Sequence, residues 1–158
     1  MGENESVIYV GDSQDVVRRI SLDHASSNVE ASALRRHVAE YKGWGLKKTK
    51  RPRGSTRVRI DLPNAPSAER EISSYIQAGR WRYILCANYR EANEFQWYAI
   101  EKLDPLLNRA RRPWNQSNEQ RYKVLLEQLL VQPLVNRQEI SGNNTGTGTY
   151  VLYHERNP

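Results

Sequence analysis

Ile8-Tyr9-Val10-Gly11-Asp12-Ser13, followed by Gln14-Asp15-Val16-Val17-Arg18-Arg19-Ile20, decides how the rest of the chain is read. Residues 7–10 are all β-branched or aromatic, which suits a buried strand, expected over 7–11. Gly11 permits a tight turn, and Asp12 to Asp15 supply turn and helix-capping side chains. Val16, Val17, Ile20 and Leu22 then mark the inner side of a helix that ends near His24, before the Ser/Asn-rich break at 26–28. A strand, a glycine turn and a helix of these lengths aim Tyr9 and Arg19, ten residues apart, at one spot.

Further along, Leu34, Val38 and Tyr41 recur at helical spacing over 30–41, with Arg35, Arg36 and His37 facing elsewhere, and Gly43 and Gly45 stop the helix. Residues 56–62 alternate as a half-exposed strand does, closed by Pro63 and Pro66. A short helix is expected at 67–77, a core strand at 81–87, a longer helix at 91–103 and a last helix at about 119–130. The Gly/Asn/Thr-rich stretch from 141 reads as a flexible connector to a final strand at about 148–154.

The 158 residues suit one domain, 1–158, with a real core. At 27% charged and 38% hydrophobic, the whole is neither disordered nor membrane-embedded. No apolar run is long enough for a transmembrane helix, and the start has no signal-peptide character. Gly2 with Ser6 matches the loose N-myristoylation pattern, but Glu3 and Glu5 argue against it. Cys86 is the single cysteine and reads as a buried structural thiol; a reducing, cytoplasmic setting is expected, in which the sequons at Asn115 and Asn143 are incidental. His24, His37 and His154 lack zinc-type spacing, and no Walker-type phosphate loop precedes a helix.

Lys and Arg number 24 against 18 Asp and Glu, a net charge of +6 that points to a polyanion. Seven of these cations fall in 47–59 without an acid: Lys47, Lys48, Lys50, Arg51, Arg53, Arg57 and Arg59. This basic insertion, at about 44–66, is the expected DNA arm, with Arg35, Arg36, Arg111 and Arg112 tracking the backbone; a solvated, flexible basic loop is the plainer alternative.

The strand-turn-arginine element resembles the second half of the signature of the GIY-YIG nuclease superfamily, a Tyr-Ile-Gly strand and a helix with Asn/Asp-Val-x-x-Arg-Ile. The likeness continues at 91–108, where Ile100, Pro105 and Asn108 match a helix end written Leu-Ile-x-x-x-x-Pro-x-x-Asn. It implies an α/β (α+β) fold, a small, mostly antiparallel three-stranded sheet flanked by helices. It also implies an endonuclease that hydrolyses double-stranded DNA with one divalent metal, Mg²⁺ or Mn²⁺, in a restriction-type or mobile-element setting. Tyr9 would be general base or water orienter, Arg19 would stabilise the phosphate, His24 would assist and Asn108 would position. Cleavage of both strands would favour a homodimer.

Two departures stand out. The family's metal-binding glutamate lies twelve residues before the asparagine, where this chain has Gln96, a neutral amide that keeps the shape and loses the charge. The same change is one that would be engineered to trap an uncut substrate. A catalytically inactive, nuclease-like DNA-binding module is therefore the rival reading, and an RNA-binding basic protein a third. The family's Gly-Ile-Tyr strand is also missing from the start. Gly148-Thr149-Tyr150 has its character, so this strand either lies beside 7–11 as in a circular permutation, with Tyr150 as second active-site tyrosine, or is an ordinary terminal edge strand.

Overall fold

The computed structural model describes residues 5–140 and 146–155. Gly2, Asn143 and most of the expected connector lie outside the described residues. The strands are β1 (Glu5–Ser13), β2 (Leu46–Lys50), β3 (Thr56–Ile60), β4 (Arg80–Leu85), β5 (Val135–Asn136) and β6 (Gly148–Glu155). The helices are α1 (Val16–Arg18), α2 (Ala33–Tyr41), α3 (Ala65–Gln77), α4 (Tyr89–Leu103) and α5 (Glu119–Leu130). The class is α+β, as expected. Among the described residues the main sheet has four strands in the order β1-β6-β4-β5, all pairs antiparallel, and β2-β3 forms a separate hairpin. The fourth strand is the two-residue β5, too short to leave a periodic signal in the sequence.

The chain's last described strand is thus internal to the sheet, between β1 and β4. Gly148 makes this possible, because a Cβ there would overlap the carbonyl oxygen of Ile84 on β4. The free edge of β1 is covered by the turn after α4. Leu106 and Leu107 donate to the carbonyls of Val7 and Ile8, and Asn108 pairs with Val10 through both its amide groups, at 2.8 and 3.0 Å. That turn begins at Asp104, whose left-handed backbone (φ 46°) ends α4 just before Pro105.

Two apolar clusters fill the two faces. Ile8, Tyr9, Ile20, Leu34, Ile72 and Leu152 belong to one, against α2 and α3; Val10, Phe95, Tyr98, Leu129 and Val151 belong to the other, against α4 and α5. Among the described residues, four of the five helices are started by a side-chain cap: Asp15, Ser32, Asn64 and Asn88 accept backbone N–H groups at the heads of α1 to α4. Two expected core residues, Leu22 and Tyr41, lie half outside at 51% and 53% exposure. Among the described residues no helix is long and apolar enough to cross a membrane.

The basic stretch is an ordered hairpin. Leu46, Val58 and Ile60 anchor its inner face on the core, while Glu30 accepts from the Val58 N–H and pairs with Arg51 and Arg59. The register sets Lys47 opposite Arg59 and Thr49 opposite Arg57, so the outer face is cationic.

Candidate active site

β1 is irregular where it matters. Val7 pairs with Tyr153, but Tyr9 pairs with Leu152, so Ile8 is an extra residue. This bulge turns both Ile8 and Tyr9 onto one face, whereas strict alternation would send Tyr9 the other way. Tyr9 therefore shares a face with Tyr150, whose partner across the ladder is Gly11. The missing side chain of Gly11 is the space the phenol of Tyr150 occupies; a Cβ there would overlap its oxygen and ring.

The helix that carries the arginine changes form. After Arg18 it winds as a π-helix from Arg19 to His24. A π-helix bonds residues five apart, which is the separation of Arg19 and His24. His24 Nε2 lies 2.6 Å from the Tyr150 hydroxyl and Nδ1 2.6 Å from the hydroxyl of Ser32, which also caps α2. The Tyr9 ring stands edge-on to His24 at 6.0 Å and 6.4 Å from Tyr150, with His37 at 6.2 Å on another side. His37 was expected to face elsewhere; the bulge at Ile8 brings Tyr9 to it.

Burial governs the charges. Desolvation pushes the Tyr150 phenol well above its ordinary pKa, with Tyr9 and Asp12 adding and Arg19 opposing. Tyr9 is raised by the same cause. His24 is held well below its usual value by burial and then by the charges of Arg19 and Arg35, so it is neutral at pH 7. The expectation that Arg19 would favour a Tyr9 phenolate is therefore corrected: desolvation outweighs the cation. Arg19 itself donates to Asp23 and to the Ala31 carbonyl, both at 3.2 Å, and keeps 28% of its side chain exposed.

On the opposite face Asp12 follows Gly11 and points toward α4. Asn93 Nδ2 donates to one of its oxygens at 2.9 Å and the Tyr89 hydroxyl to the other at 3.4 Å. With its amide nitrogen turned inward, Gln96 donates to both, at 3.1 and 2.8 Å. Burial, the largest cause, raises the Asp12 pKa, and the carboxylate carries no ion pair among the described residues. Gln96 thus joins the Tyr9 face only through Asp12, whose charge acts on Tyr9, Tyr150 and Arg19.

No group of three His, Cys, Asp or Glu gathers among the described residues. A Mg²⁺ ion held by one carboxylate, water and substrate phosphate needs no such group. Asp12, half-buried and served only by neutral donors, fits that role, whereas Gln96 turns its amide nitrogen to Asp12 and offers no oxygen there. Glu94 and Glu101 are turned away, to Asn115 and to Trp114. Asn108 is committed to the Val10 backbone through its amide oxygen and one N–H, so it holds β1 in place.

The expected DNA contacts divide. Lys47, Lys48, Lys50, Arg53 and Arg57 are exposed, without an ion pair among the described residues. Arg35 is a correction: it is fully buried, donating to the His24 carbonyl, Ser73 and Glu69. Arg36 is likewise taken, by the carbonyls of Val29 and Glu30, because α2 ends a loop that needs those donors. Arg111 pairs with Asp104, and Arg112 lies over the Trp97 ring at 5.0 Å. Cys86 is pushed up to about 11 by burial, which suits a structural thiol. Asp12, Ser32 and Asn93 were missed by the sequence reading; alternation past the bulge puts Asp12 with Val10, but the bulge itself leaves no sequence signal.

No family model, curated protein or solved structure matches the chain.

Proposed function

We propose that the protein is a GIY-YIG-like endonuclease that hydrolyses phosphodiester bonds of double-stranded DNA with one divalent ion, Mg²⁺ or Mn²⁺. The observation that carries this reading is the convergence of Tyr9, Tyr150, His24 and Arg19 around Gly11. Arg19, the most open of the four, grips the scissile phosphate. Tyr9 stays protonated and donates a hydrogen bond to a phosphate oxygen or to the water. Tyr150 takes a proton from the attacking water as its own proton passes to neutral His24. A phosphate at Arg19 offsets the charge that depresses His24, so substrate itself makes the imidazole more basic. The water oxygen bonds to phosphorus, the bond to the leaving oxygen breaks, and that oxygen is protonated from solvent. His24 then releases its proton to solvent by way of Tyr150, replacing the one the leaving oxygen took, so one water has been added across one P–O bond. Asp12 would hold a divalent ion, which would supply neutralising charge at the phosphate.

The hairpin fits the role of DNA arm: a two-stranded ribbon enters the major groove, and Lys47, Arg57 and Arg59 share its outer face. Cutting both strands from one site per chain calls for two chains.

One observation favours a second reading, a DNA-binding module without activity. Gln96 is neutral, and Tyr150 and His24 are covered. Nicking of supercoiled plasmid with Mg²⁺ or Mn²⁺, by this chain and by Gln96→Glu, separates the two. The nuclease reading expects cleavage at least by Gln96→Glu, and its loss by about 10²-fold or more in Arg19→Ala and Tyr150→Phe. No cleavage in either form, with salt-sensitive duplex binding intact, establishes the module. Cleavage indifferent to Arg19→Ala sinks the proposed site.

A further inference from the structure

The geometry points to a second nucleic-acid site: a cleft on α4 that takes an unpaired nucleobase next to the candidate active site. The cleft measures about 630 Å³. Tyr89, Arg90, Asn93 and Trp97, at positions i, i+1, i+4 and i+8 of α4, form one wall. The segment 112–115 forms the other. That second wall is fixed: the Trp114 indole donates to Glu101 at 3.1 Å and packs edge-on against Tyr98 at 4.9 Å, and the Asn115 N–H donates to Glu94 at 2.8 Å.

The chemistry inside is selective. Tyr89 is 43% exposed, and Trp97 is partly buried against the cluster between α4 and α5. Arg112 covers the Trp97 ring, and Arg90 carries no ion pair among the described residues. The acid in the lining, Glu94, is turned to Asn115 and Asn118. An exposed tyrosine beside a guanidinium layered on an indole suits a π-surface joined to a phosphate, which is a nucleotide of an unstacked strand. A paired base cannot offer its face to such a concave wall.

The cleft also adjoins the proposed site. Asn93 and Tyr89 line it and hold Asp12 as well, at 2.9 and 3.4 Å. A strand whose phosphate lies at Arg19 and Asp12 can therefore lay a neighbouring base against Tyr89 and the Arg112 guanidinium stacked on Trp97. The inference takes its ligand class from the nuclease reading and adds a preference: the substrate carries unpaired nucleotides at or beside the cut.

The test is fluorescence anisotropy of a short labelled oligo-dT and of a blunt duplex, with EDTA present and salt fixed. Trp97→Ala is expected to weaken oligo-dT binding roughly 5- to 100-fold and duplex binding less than about twofold. Trp97→Phe keeps most of the affinity. Arg112→Gln, a surface change that leaves the fold alone, lowers oligo-dT binding by roughly 3- to 10-fold. Equal losses for both ligands, or no loss for either, overturn the cleft assignment. Anisotropy needs no cleavage. Selective strand binding by a chain that cuts nothing refutes the nuclease and keeps the cleft, whereas duplex cleavage by a chain whose oligo-dT binding is untouched by Trp97→Ala does the reverse.

Discussion

The two faces of the sheet at the end of β1 and β6 treat polar groups differently. On the α2 side, Tyr150, His24 and Ser32 are dry and bonded to one another, with buried Arg35 beneath them paired to Glu69. On the α4 side, Asp12 is half-buried among neutral donors. Desolvation leads on both sides and favours the uncharged form each time, raising Tyr150 and Asp12 and lowering His24. The partners make the difference. On the α2 side neutral hydrogen bonds and the Arg35–Glu69 pair serve the buried groups, while on the α4 side the Asp12 carboxylate meets only neutral donors among the described residues.

The largest effect should come from Arg35→Ala. Its guanidinium ties the His24 carbonyl to α3 through Glu69 and Ser73. Breaking a buried pair from one side costs about 3–5 kcal/mol. Urea unfolding reads this directly, with Arg57→Ala on the hairpin as the control, expected within about 0.5 kcal/mol. A loss under about 1 kcal/mol for Arg35→Ala would show that the dry network is not what holds that face.

These two arginines look alike in the sequence, and that marks the limit of what the sequence conveys. Most elements were legible because each has a local cause: β-branched residues for β1, aromatic and aliphatic ones for β4, Pro105 after α4, a final apolar run for β6; β2 and β5 were not. Arg35 was misread because its partners on α3 are 34 and 38 residues away, and one helix offers no hint of what packs on it. Tyr9, Arg19 and His24 were singled out by the family resemblance together with their spacing. Their relation to Tyr150 depends on a bulge and a π-helix, which rest on pairing and packing rather than on composition.

Gly11→Ala probes the contact where the faces meet. The new methyl would press into the Tyr150 phenol, and overpacking of this kind costs about 1–3 kcal/mol. Near-UV circular dichroism should change with it, since Tyr150 must move from His24. Unchanged stability and spectrum would mean that the phenol has room to spare.

The pH dependence follows from His24. Its folded pKa lies below the unfolded value of about 6.5, so between the two the unfolded chain binds a proton that the folded chain does not. The contribution is whole above that unfolded value and is lost as the pH falls beneath it, by up to about 1.4 kcal/mol per pH unit. His37, also lowered by burial, adds in the same sense. Urea midpoints at neutral and mildly acid pH should diverge in the parent chain and converge in His24→Gln. A slope that survives His24→Gln assigns the effect to His37.

Asp12→Asn gives the smallest change in stability and the sharpest view of the α4 side. A raised carboxyl pKa means that the fold favours the protonated acid, so at neutral pH the charge works against folding. Solvent screens part of this, and removing the charge should stabilise by no more than about 0.5 kcal/mol. The same change removes the carboxylate proposed to hold Mg²⁺, so any cleavage should fall while the melting temperature holds or rises. A residue present only for its hydrogen bonds behaves oppositely: its three donors would lose an acceptor and the fold would weaken. The sign of the stability change, measured without metal, therefore distinguishes an acid kept for an incoming cation from one that completes the packing of α4 on β1.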